Sequence, residues 1–223
     1  MATTIRPLVA AVGTALLLSA CSHSGAPSSH AAQVDARTQA RAQAEIKTGV
    51  RADGHHAYKV ALAHFNHALK LDANSIDARY DRGMTEDAMH SYKRAADDLA
   101  IAVKGRPDWA PARLHLAAAQ FHAHRYQEAA SNFDLALKGH DRASRVWLDD
   151  GVSYYKLHRY ADARKRFARA LVLSPKSGRA HFWLGMTYKH LHDVKHARNE
   201  LALAAHSRDI VVRTAARKQL RTK

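Results

Sequence analysis

The stretch from Ser144 to Ser177 reads SRVWLDDGVSYYKLHRYADARKRFARALVLSPKS, which contains two amphipathic helices separated by a tight turn. The first helix places Trp147 and Gly151 on one face, and the second helix does the same with Phe167 and Ala170. A hairpin of two short helices leaves one apolar flank uncovered. The stretch therefore predicts a repeat unit that needs neighbouring copies to bury that flank.

Copies of this unit follow one another along the chain at a spacing of 34 residues, five in all. Chance could supply one matching column of residues, but not four in the same register. Small residues let helices approach to about 8 Å, while one larger residue fills the layer between hairpins. The columns are Phe65, Leu99, Phe133, Phe167, Leu201; Ala61, Ala95, Ala129, Ala163, Ala197; Ala68, Ala102, Ala136, Ala170, Ala204; and Gly49, Gly83, Ala117, Gly151, Gly185.

This pattern resembles the tetratricopeptide repeat family, whose repeats have the same period and the same small, aromatic and alanine positions. Pro107 and Pro175 stand where one unit passes to the next, a place that tolerates proline because it lies outside the helix interior. The resemblance implies an all-α, right-handed solenoid of helix hairpins. We expect five repeats over residues 41–210 and a basic capping helix over residues 211–223, eleven helices in all.

The first two repeats depart from the family pattern. Glu45 and Thr48 stand in the first repeat where large apolar residues are usual, and Arg79, Arg82 and Glu86 do so in the second. Polar side chains at these places bury less apolar surface. We therefore expect the amino-terminal repeats to be the less stable end of the array.

The first 21 residues have the layout of a secretory signal, with Arg6 before an apolar run too short to span a membrane. The ending LSAC at residues 18–21 resembles the lipobox of bacterial lipoproteins, which implies that Cys21 is acylated. An ordinary cleaved signal with an incidental cysteine is the alternative. Cys21 is the only cysteine, so no disulfide forms within the chain.

Residues 22–40 are rich in Ser, Ala, Gly and Pro. Few large apolar side chains are available there to offset the entropy of ordering, which predicts a flexible tether. In the lipoproteins that this signal resembles, Ser22 after the cysteine implies transport to the outer membrane. We therefore expect a lipid-anchored protein on the periplasmic face of the outer membrane.

The chain carries 35 lysines and arginines against 20 acidic residues, a formal net charge of +15. Residues 143–223 concentrate this charge, with 18 basic and 6 acidic side chains. Such a field favours an anionic partner on the carboxy-terminal half, and a merely solvated face is the alternative. Nucleic acid is not expected, because no aromatic residues interleave the basic run for base stacking.

A histidine occupies every turn between paired helices. Zinc ligands lie about 2.1 Å from the metal, whereas equivalent residues of packed repeats are about 8–10 Å apart, so these histidines cannot share an ion. Histidine is enriched at positive φ, which predicts a turn-forming role, and a gain of charge below pH 7 is a second role. Catalytic, phosphate-binding and metal-binding motifs are absent from the sequence, so we expect no enzyme, cofactor or metal site. The turn residues are His56, His90, His124, His158 and His192.

The resemblance implies that the first helix of each repeat lines the inner surface of the superhelix. The inward columns are apolar, which predicts a groove for a protein or peptide segment with apolar anchors and acidic flanks. Packing of these columns between repeats is the alternative. Lysine and asparagine of the family's carboxylate clamp are missing, so we expect another binding mode. The predicted groove residues are Tyr80, Met84, Leu114, Phe121, Leu148, Val152, Tyr155, Phe182 and Met186, and the predicted electrostatic contacts are Arg145, Lys156, Arg164, Lys165, Arg166, Arg179 and Lys189.

Lipobox and repeats together are similar to the tetratricopeptide lipoproteins of type IV and Flp pilus assembly. This resemblance implies a membrane-anchored interaction scaffold of the bacterial envelope that serves pilus or secretion assembly. The alternatives are an adaptor for peptidoglycan enzymes and an accessory subunit of outer-membrane protein insertion.

Overall fold

The computed structural model describes residues 29–138 and 143–221, with side chains from residue 35 onward. Over these residues the chain forms eleven α-helices and no strand, and Arg37–Lys223 makes one compact unit. Cys21 and the predicted signal lie outside the described residues. The helices are α1 (Ser29–Gly54), α2 (Tyr58–Leu71), α3 (Ile76–Ala88), α4 (Tyr92–Gly105), α5 (Ala110–His122), α6 (Tyr126–Ala136), α7 (Ser144–Lys156), α8 (Tyr160–Leu173), α9 (Gly178–His190), α10 (Val194–Ala204) and α11 (Ile210–Arg221).

Consecutive helices pair into hairpins 1 to 5, from α1/α2 to α9/α10, and α11 packs on hairpin 5 as the cap. This confirms the predicted solenoid of hairpins. The first helices α3, α5, α7 and α9 each contact the next odd-numbered helix, whereas no second helix in the described part contacts the second helix of the next hairpin. First helices therefore approach one another most closely and line the inner side of the stack.

The repeat columns form the core. The five residues of the aromatic or leucine column are at most 2% exposed, and the two alanine columns are buried with them. A Cβ atom built on Gly151 would lie 2.6 Å from Cε1 of Phe167, closer than packed carbon atoms approach. The small-residue column thus lets a first helix rest directly on the large side chain of its partner helix.

Each turn histidine adopts the left-handed conformation, with φ between 58° and 63° at all five positions. This confirms the turn-forming role expected from the sequence. In hairpins 1 to 4 the histidine Nδ1 also lies within hydrogen-bond distance of the hydroxyl of a tyrosine two residues later. The partners are Tyr58 (2.9 Å), Tyr92 (2.6 Å), Tyr126 (2.7 Å) and Tyr160 (2.8 Å).

The tether prediction for residues 22–40 is wrong from Ser29 onward, because α1 begins there and includes residues 29–40. Alanine and glutamine make up six of the twelve residues from 29 to 40, and both have high helix propensity. The helix also continues in phase into Ala42 and Ile46, which are buried in hairpin 1. Residues 22–28 lie outside the described part of the chain.

A polar or cation–π contact joins the two helices of every hairpin at the same pair of positions, 19 residues apart. The identity of the two groups changes from hairpin to hairpin, while their complementarity is kept. The contacts are Glu45 Oε2 to His64 Nδ1 (2.7 Å), Arg79 Nη1 to Asp98 Oδ1 (3.0 Å), Arg113 Nη1 to Asn132 Oδ1 (3.2 Å), Arg166 Cζ over the Trp147 ring (5.6 Å) and His181 Nδ1 to Glu200 Oε2 (2.6 Å).

None of the helices in residues 29–138 and 143–221 is both long and apolar enough to cross a membrane.

Candidate functional site

The inner faces of α5, α7 and α9 carry a band of partly exposed apolar side chains, which we call the groove. Seven of the nine predicted groove residues keep part of their surface in contact with solvent. Tyr80 and Met84 continue the row onto α3, where the Tyr80 ring lies 4.3 Å from the Trp109 ring. The groove proper comprises Leu114, Phe121, Tyr155, Phe182, Trp183 and Met186.

Leu148 and Val152, also predicted as groove residues, are instead core residues. They are 4% and 6% exposed and belong to the cluster that surrounds Phe167. Their side chains face the partner helix and the next hairpin, which cover them. They support the groove from below and cannot contact a ligand.

Aromatic rings concentrate at the junction of hairpins 4 and 5. The Tyr155 ring centroid lies 5.1 Å from that of Trp183 and 5.4 Å from those of Tyr160 and His190. Tyr160 and His190 stack face to face at 4.4 Å, with 4° between their planes. This interlocked cluster holds Trp183 and Phe182 in fixed orientations beside each other, 5.6 Å between centroids.

The sequence reasoning missed Trp183. It stands one position after the predicted inward column, in the column of Lys47, Asp81, His115 and Asp149. Because those four residues are polar, the sequence pattern did not predict that this column belongs to the apolar inner surface. The signal in the sequence was the pair Phe182-Trp183, since two adjacent large aromatic residues on a helix cannot both enter one core layer.

Basic side chains border the groove at hairpins 4 and 5. Arg145, Lys156 and Arg179 are exposed, and the Lys156 Nζ lies 6.0 Å from the centroid of the Trp183 ring. Arg145 Nε is 3.7 Å from a carboxylate oxygen of Asp149, whose pKa is raised by burial even though Arg145 and Arg179 oppose the shift. The rim therefore remains mainly cationic, with Asp149 as a buried acid beside Arg145.

The structure also places three further residues that were predicted to make electrostatic contacts. Arg164 and Lys165 are exposed on α8, with Lys165 Nζ 3.8 Å from Asp162 Oδ1. Lys189 is half-buried on α9, where its Nζ donates to Gln219 Oε1 at 2.9 Å. An anionic partner for this basic surface stays a prediction.

Arg166, predicted to contact a partner electrostatically, is instead bound inside the fold. Its Nε lies 2.8 Å from Asp150 Oδ2, and its guanidinium also pairs with Asp134. It lies over the rings of Trp147 and Tyr154 at 5.6 and 5.3 Å. Arg166 faces α7 while Arg164 and Lys165 face outward, because successive residues of a helix point in different directions.

The family comparison agrees with this geometry. The tetratricopeptide repeat model matches residues 80–144 and 148–209, more than half of the chain. The chain belongs to the tetratricopeptide repeat family. Repeats of this family typically act as scaffolds for protein–protein interaction, built as stacked hairpins that present an extended concave surface.

Solved structures share the tetratricopeptide repeat fold. YrrB, described as a tetratricopeptide repeat protein with an unusual peptide-binding site, is 19% identical; the alignment covers 78% of this chain and 90% of YrrB, with a TM-score of 0.72. MamA is 18% identical over 74% of this chain and 90% of its own, with a TM-score of 0.67. A MamA segment from Desulfovibrio magneticus RS-1 is 18% identical over 80% and 97%, with a TM-score of 0.66. No curated protein matches this chain.

The opposite end of this tetratricopeptide groove is acidic. Burial, with the nearby charges of Asp77 and Asp53, raises the pKa of Asp81 to about 6. Thr85 Oγ1 donates to Asp53 Oδ1 at 2.7 Å, which ties the first two hairpins together. No group of three His, Cys, Asp or Glu side chains in the described residues is arranged to hold a metal ion. The inner surface thus changes from acidic at hairpin 2 to basic and aromatic at hairpins 4 and 5.

Proposed function

We propose that this protein is a membrane-anchored scaffold of the bacterial cell envelope that holds a peptide or helix of another envelope protein in its groove. Apolar anchors of the partner pack against Phe121, Tyr155 and Trp183, and acidic residues beside the anchors pair with Arg145 and Arg179. Burial of a large side chain contributes about 1.5–3 kcal/mol. A few such anchors are enough for a specific complex.

The observation that carries this proposal is the partly exposed aromatic cluster with a cationic rim at hairpins 4 and 5. The rings of Tyr155 and Trp183 keep part of their surface exposed, unlike the buried Phe167, so that surface is available to a partner. Tyrosine and tryptophan are also the side chains most enriched at binding hot spots. YrrB, a protein of the same fold, is described as having a peptide-binding site, which supports a peptide as the bound species.

The envelope part of the proposal rests on the sequence at residues 18–21. We propose that Cys21 is acylated and that the lipid holds the protein on the periplasmic face of the outer membrane. Assembly of a pilus or a secretion system is the process we propose for the scaffold, because tetratricopeptide lipoproteins of that class combine the same two features. A basic surface suits the acidic segments that such partners would present.

Site-specific photocrosslinking in cells tests the groove. A photoreactive residue at Met186, in the groove, should crosslink a protein that the same residue at Val172, exposed on α8, does not. The additional change Tyr155→Ser should remove the crosslink at position 186 while the circular dichroism spectrum keeps its helical signal. A crosslink that is stronger from position 172, or that survives Tyr155→Ser unchanged, would place the binding surface elsewhere.

Membrane fractionation tests the anchor. Cys21→Ala should release the protein from the membrane fraction or leave it with an uncleaved leader. Ser22→Ala is the matched control and should leave processing unchanged. Normal processing with full membrane attachment in Cys21→Ala would contradict the lipoprotein part of the proposal, and it would leave the groove untouched.

A further inference from the structure

The last hairpin lacks a side chain that every other hairpin has. Hairpins 1 to 4 begin their second helix with tyrosine, and hairpin 5 begins it with Val194. In hairpins 2 and 4 the tyrosine ring stacks on a histidine of the next first helix, Tyr92 on His122 at 4.8 Å and Tyr160 on His190 at 4.4 Å. Val194 is 66% exposed and has no ring to fill the corresponding place.

A cavity of about 330 Å³ lies at that place, between hairpin 5 and the cap helix α11. Its apolar lining comes from Val194, Ala197, Leu201 and Leu220. Leu201 and Ala197 are otherwise buried, so the cavity reaches the core of the hairpin. Small-molecule sites range from about 300 to 1,000 Å³, which places this cavity at the size of a small ligand.

Cationic groups surround this apolar lining. Lys189 and Arg198 contribute to the wall, together with the turn residue His192. Gln219 of α11 accepts a hydrogen bond from Lys189 Nζ at 2.9 Å, which fixes the lysine beside the cap. Among the described residues, those that line the cavity include no carboxylate. An apolar interior with a cationic border complements a ligand that has an apolar body and one negative charge.

We propose that this cavity binds a single-chain aliphatic carboxylate, a medium-chain fatty acid. The hydrocarbon tail lies against Leu201 and Leu220, and the carboxylate pairs with Arg198 at the border. A two-chain lipid is too large for a cavity of this volume, and an alkylammonium ion would meet like charge. The proposal concerns α9, α10 and α11 alone and does not depend on a peptide in the groove.

Isothermal titration calorimetry on the full chain tests the proposal with three probes of equal chain length: octanoate, octanol and octylamine. Octanoate should bind at least tenfold more tightly than octylamine, and added salt should weaken octanoate but not octanol. Octylamine binding as tightly as octanoate would overturn the proposed charge preference. Absence of octanoate binding would overturn the site.

Val194→Tyr restores the ring that the other hairpins carry and should reduce octanoate affinity at least tenfold by filling the cavity. Val172→Tyr makes the same exchange at an exposed valine of α8 and should leave octanoate affinity unchanged. Arg198→Gln should weaken octanoate several-fold without affecting octanol. Because both valines are exposed, circular dichroism should show both tyrosine variants folded. Undiminished octanoate binding by folded Val194→Tyr would overturn the location of the site.

Discussion

Hairpins 2 and 4 contain the same arginine–aspartate pair in opposite orientation. In hairpin 2 the arginine is on the first helix and the carboxylate on the second, Arg82 with Asp98; in hairpin 4 the order is Asp150 with Arg166. Hairpins 3 and 5 have leucine at the first-helix position, Leu116 and Leu184. Arginine, aspartate and leucine therefore all occur at one first-helix position of this fold, and each of the two polar residues pairs with a complementary side chain on the second helix.

The two orientations differ in how well the carboxylate is satisfied. Asp98 accepts hydrogen bonds from Nε and Nη2 of Arg82 at 2.5 and 2.8 Å, and a third from Nη1 of Arg79 at 3.0 Å. Both arginines keep some solvent contact at their outer ends. A carboxylate with a two-pronged arginine contact is the strongest common form of the ion pair, and in hairpin 2 both carboxylate oxygens have partners.

Asp150 is fully buried, and Arg166 is its only ion-pair partner in the described residues. The guanidinium is shared with Asp134, which also accepts a hydrogen bond from the Tyr154 hydroxyl at 2.5 Å. Burial raises the pKa of Asp150 to about 8, because the attraction of Arg166 offsets only part of the desolvation. The first-helix position therefore accommodates the charge of a long arginine better than that of a short aspartate, because only the arginine side chain reaches outward to water.

The largest effect is expected from the hydrophobic layer that both hairpins share. Phe167→Ala should lower the free energy of unfolding by about 3–5 kcal/mol, and Leu99→Ala should fall at the lower end of the same range, because the smaller side chain leaves a smaller cavity. Urea unfolding followed by circular dichroism measures both. Val172→Ala, at an exposed position, is the control and should change stability by less than about 0.5 kcal/mol. A loss below about 1 kcal/mol for Phe167→Ala would mean that the layer does not carry the array.

Replacing the aspartate should have different effects on stability in hairpins 2 and 4. Asp98→Ala removes the carboxylate that binds both Arg79 and Arg82 and leaves Glu86, which is paired with Arg94, as the remaining carboxylate near Arg82; we expect a loss of about 3 kcal/mol. Asp150→Ala should cost less than about 1 kcal/mol, because Arg166 keeps Asp134 and a buried, poorly satisfied carboxyl group is gone. Asp97→Ala, at an exposed neighbour of Asp98, is the control for the loss of one surface charge. Equal losses at positions 98 and 150 in urea unfolding would refute the difference in satisfaction.

The 34-residue period predicted most of this architecture, because columns such as Phe167 and Gly151 have one steric role in every copy. The complementary pairs were not predicted, since each pair joins two helices and changes identity between copies. Arg166 illustrates this: its sequence neighbours Arg164 and Lys165 suggested one basic patch, while contact with Asp150 depends on the facing helix. The helix at residues 29–40 was not predicted, because a low content of large apolar residues favours a tether, whereas the helix propensity of alanine and glutamine favours a helix.

Unfolding at different pH values should detect Asp150 directly. In the folded protein Asp150 keeps its proton up to about pH 8, whereas an unfolded aspartate loses it near pH 4. Unfolding therefore releases a proton between these values, and stability should fall as pH rises, by about 1.4 kcal/mol per pH unit. Asp150→Asn should remove that part of the slope between pH 6.5 and 7.5.

Other groups with raised pKa values, among them Glu86 and Asp149, have slopes of the same sign, so the difference between variant and unmodified protein is the quantity to measure. Asp81 contributes only up to about pH 6, and Asp81→Asn should leave the slope above that pH unchanged. Glu200 raises the pKa of His181, whose stabilising charge is lost as the pH rises through that value. A slope in Asp150→Asn identical to that of the unmodified protein above pH 6.5 would show that Asp150 is ionised in the fold.

The smallest effect is expected at the turns, where hairpins 4 and 5 differ by one hydrogen bond. His158 and His192 both have φ of 59°, a conformation that glycine adopts without steric cost. His192→Gly should therefore be neutral or stabilise by up to about 1 kcal/mol. His158→Gly gains the same relief but loses the contact of Nδ1 with the Tyr160 hydroxyl, worth about 0.5–1.5 kcal/mol. We expect His192→Gly to be the more stable variant in thermal unfolding, by a few degrees at most.

His158→Gly in a Tyr160→Phe background is the control, since without the hydroxyl the two turns should respond alike. A stability difference that persists in this background would show that backbone conformation, and not the hydrogen bond, causes it.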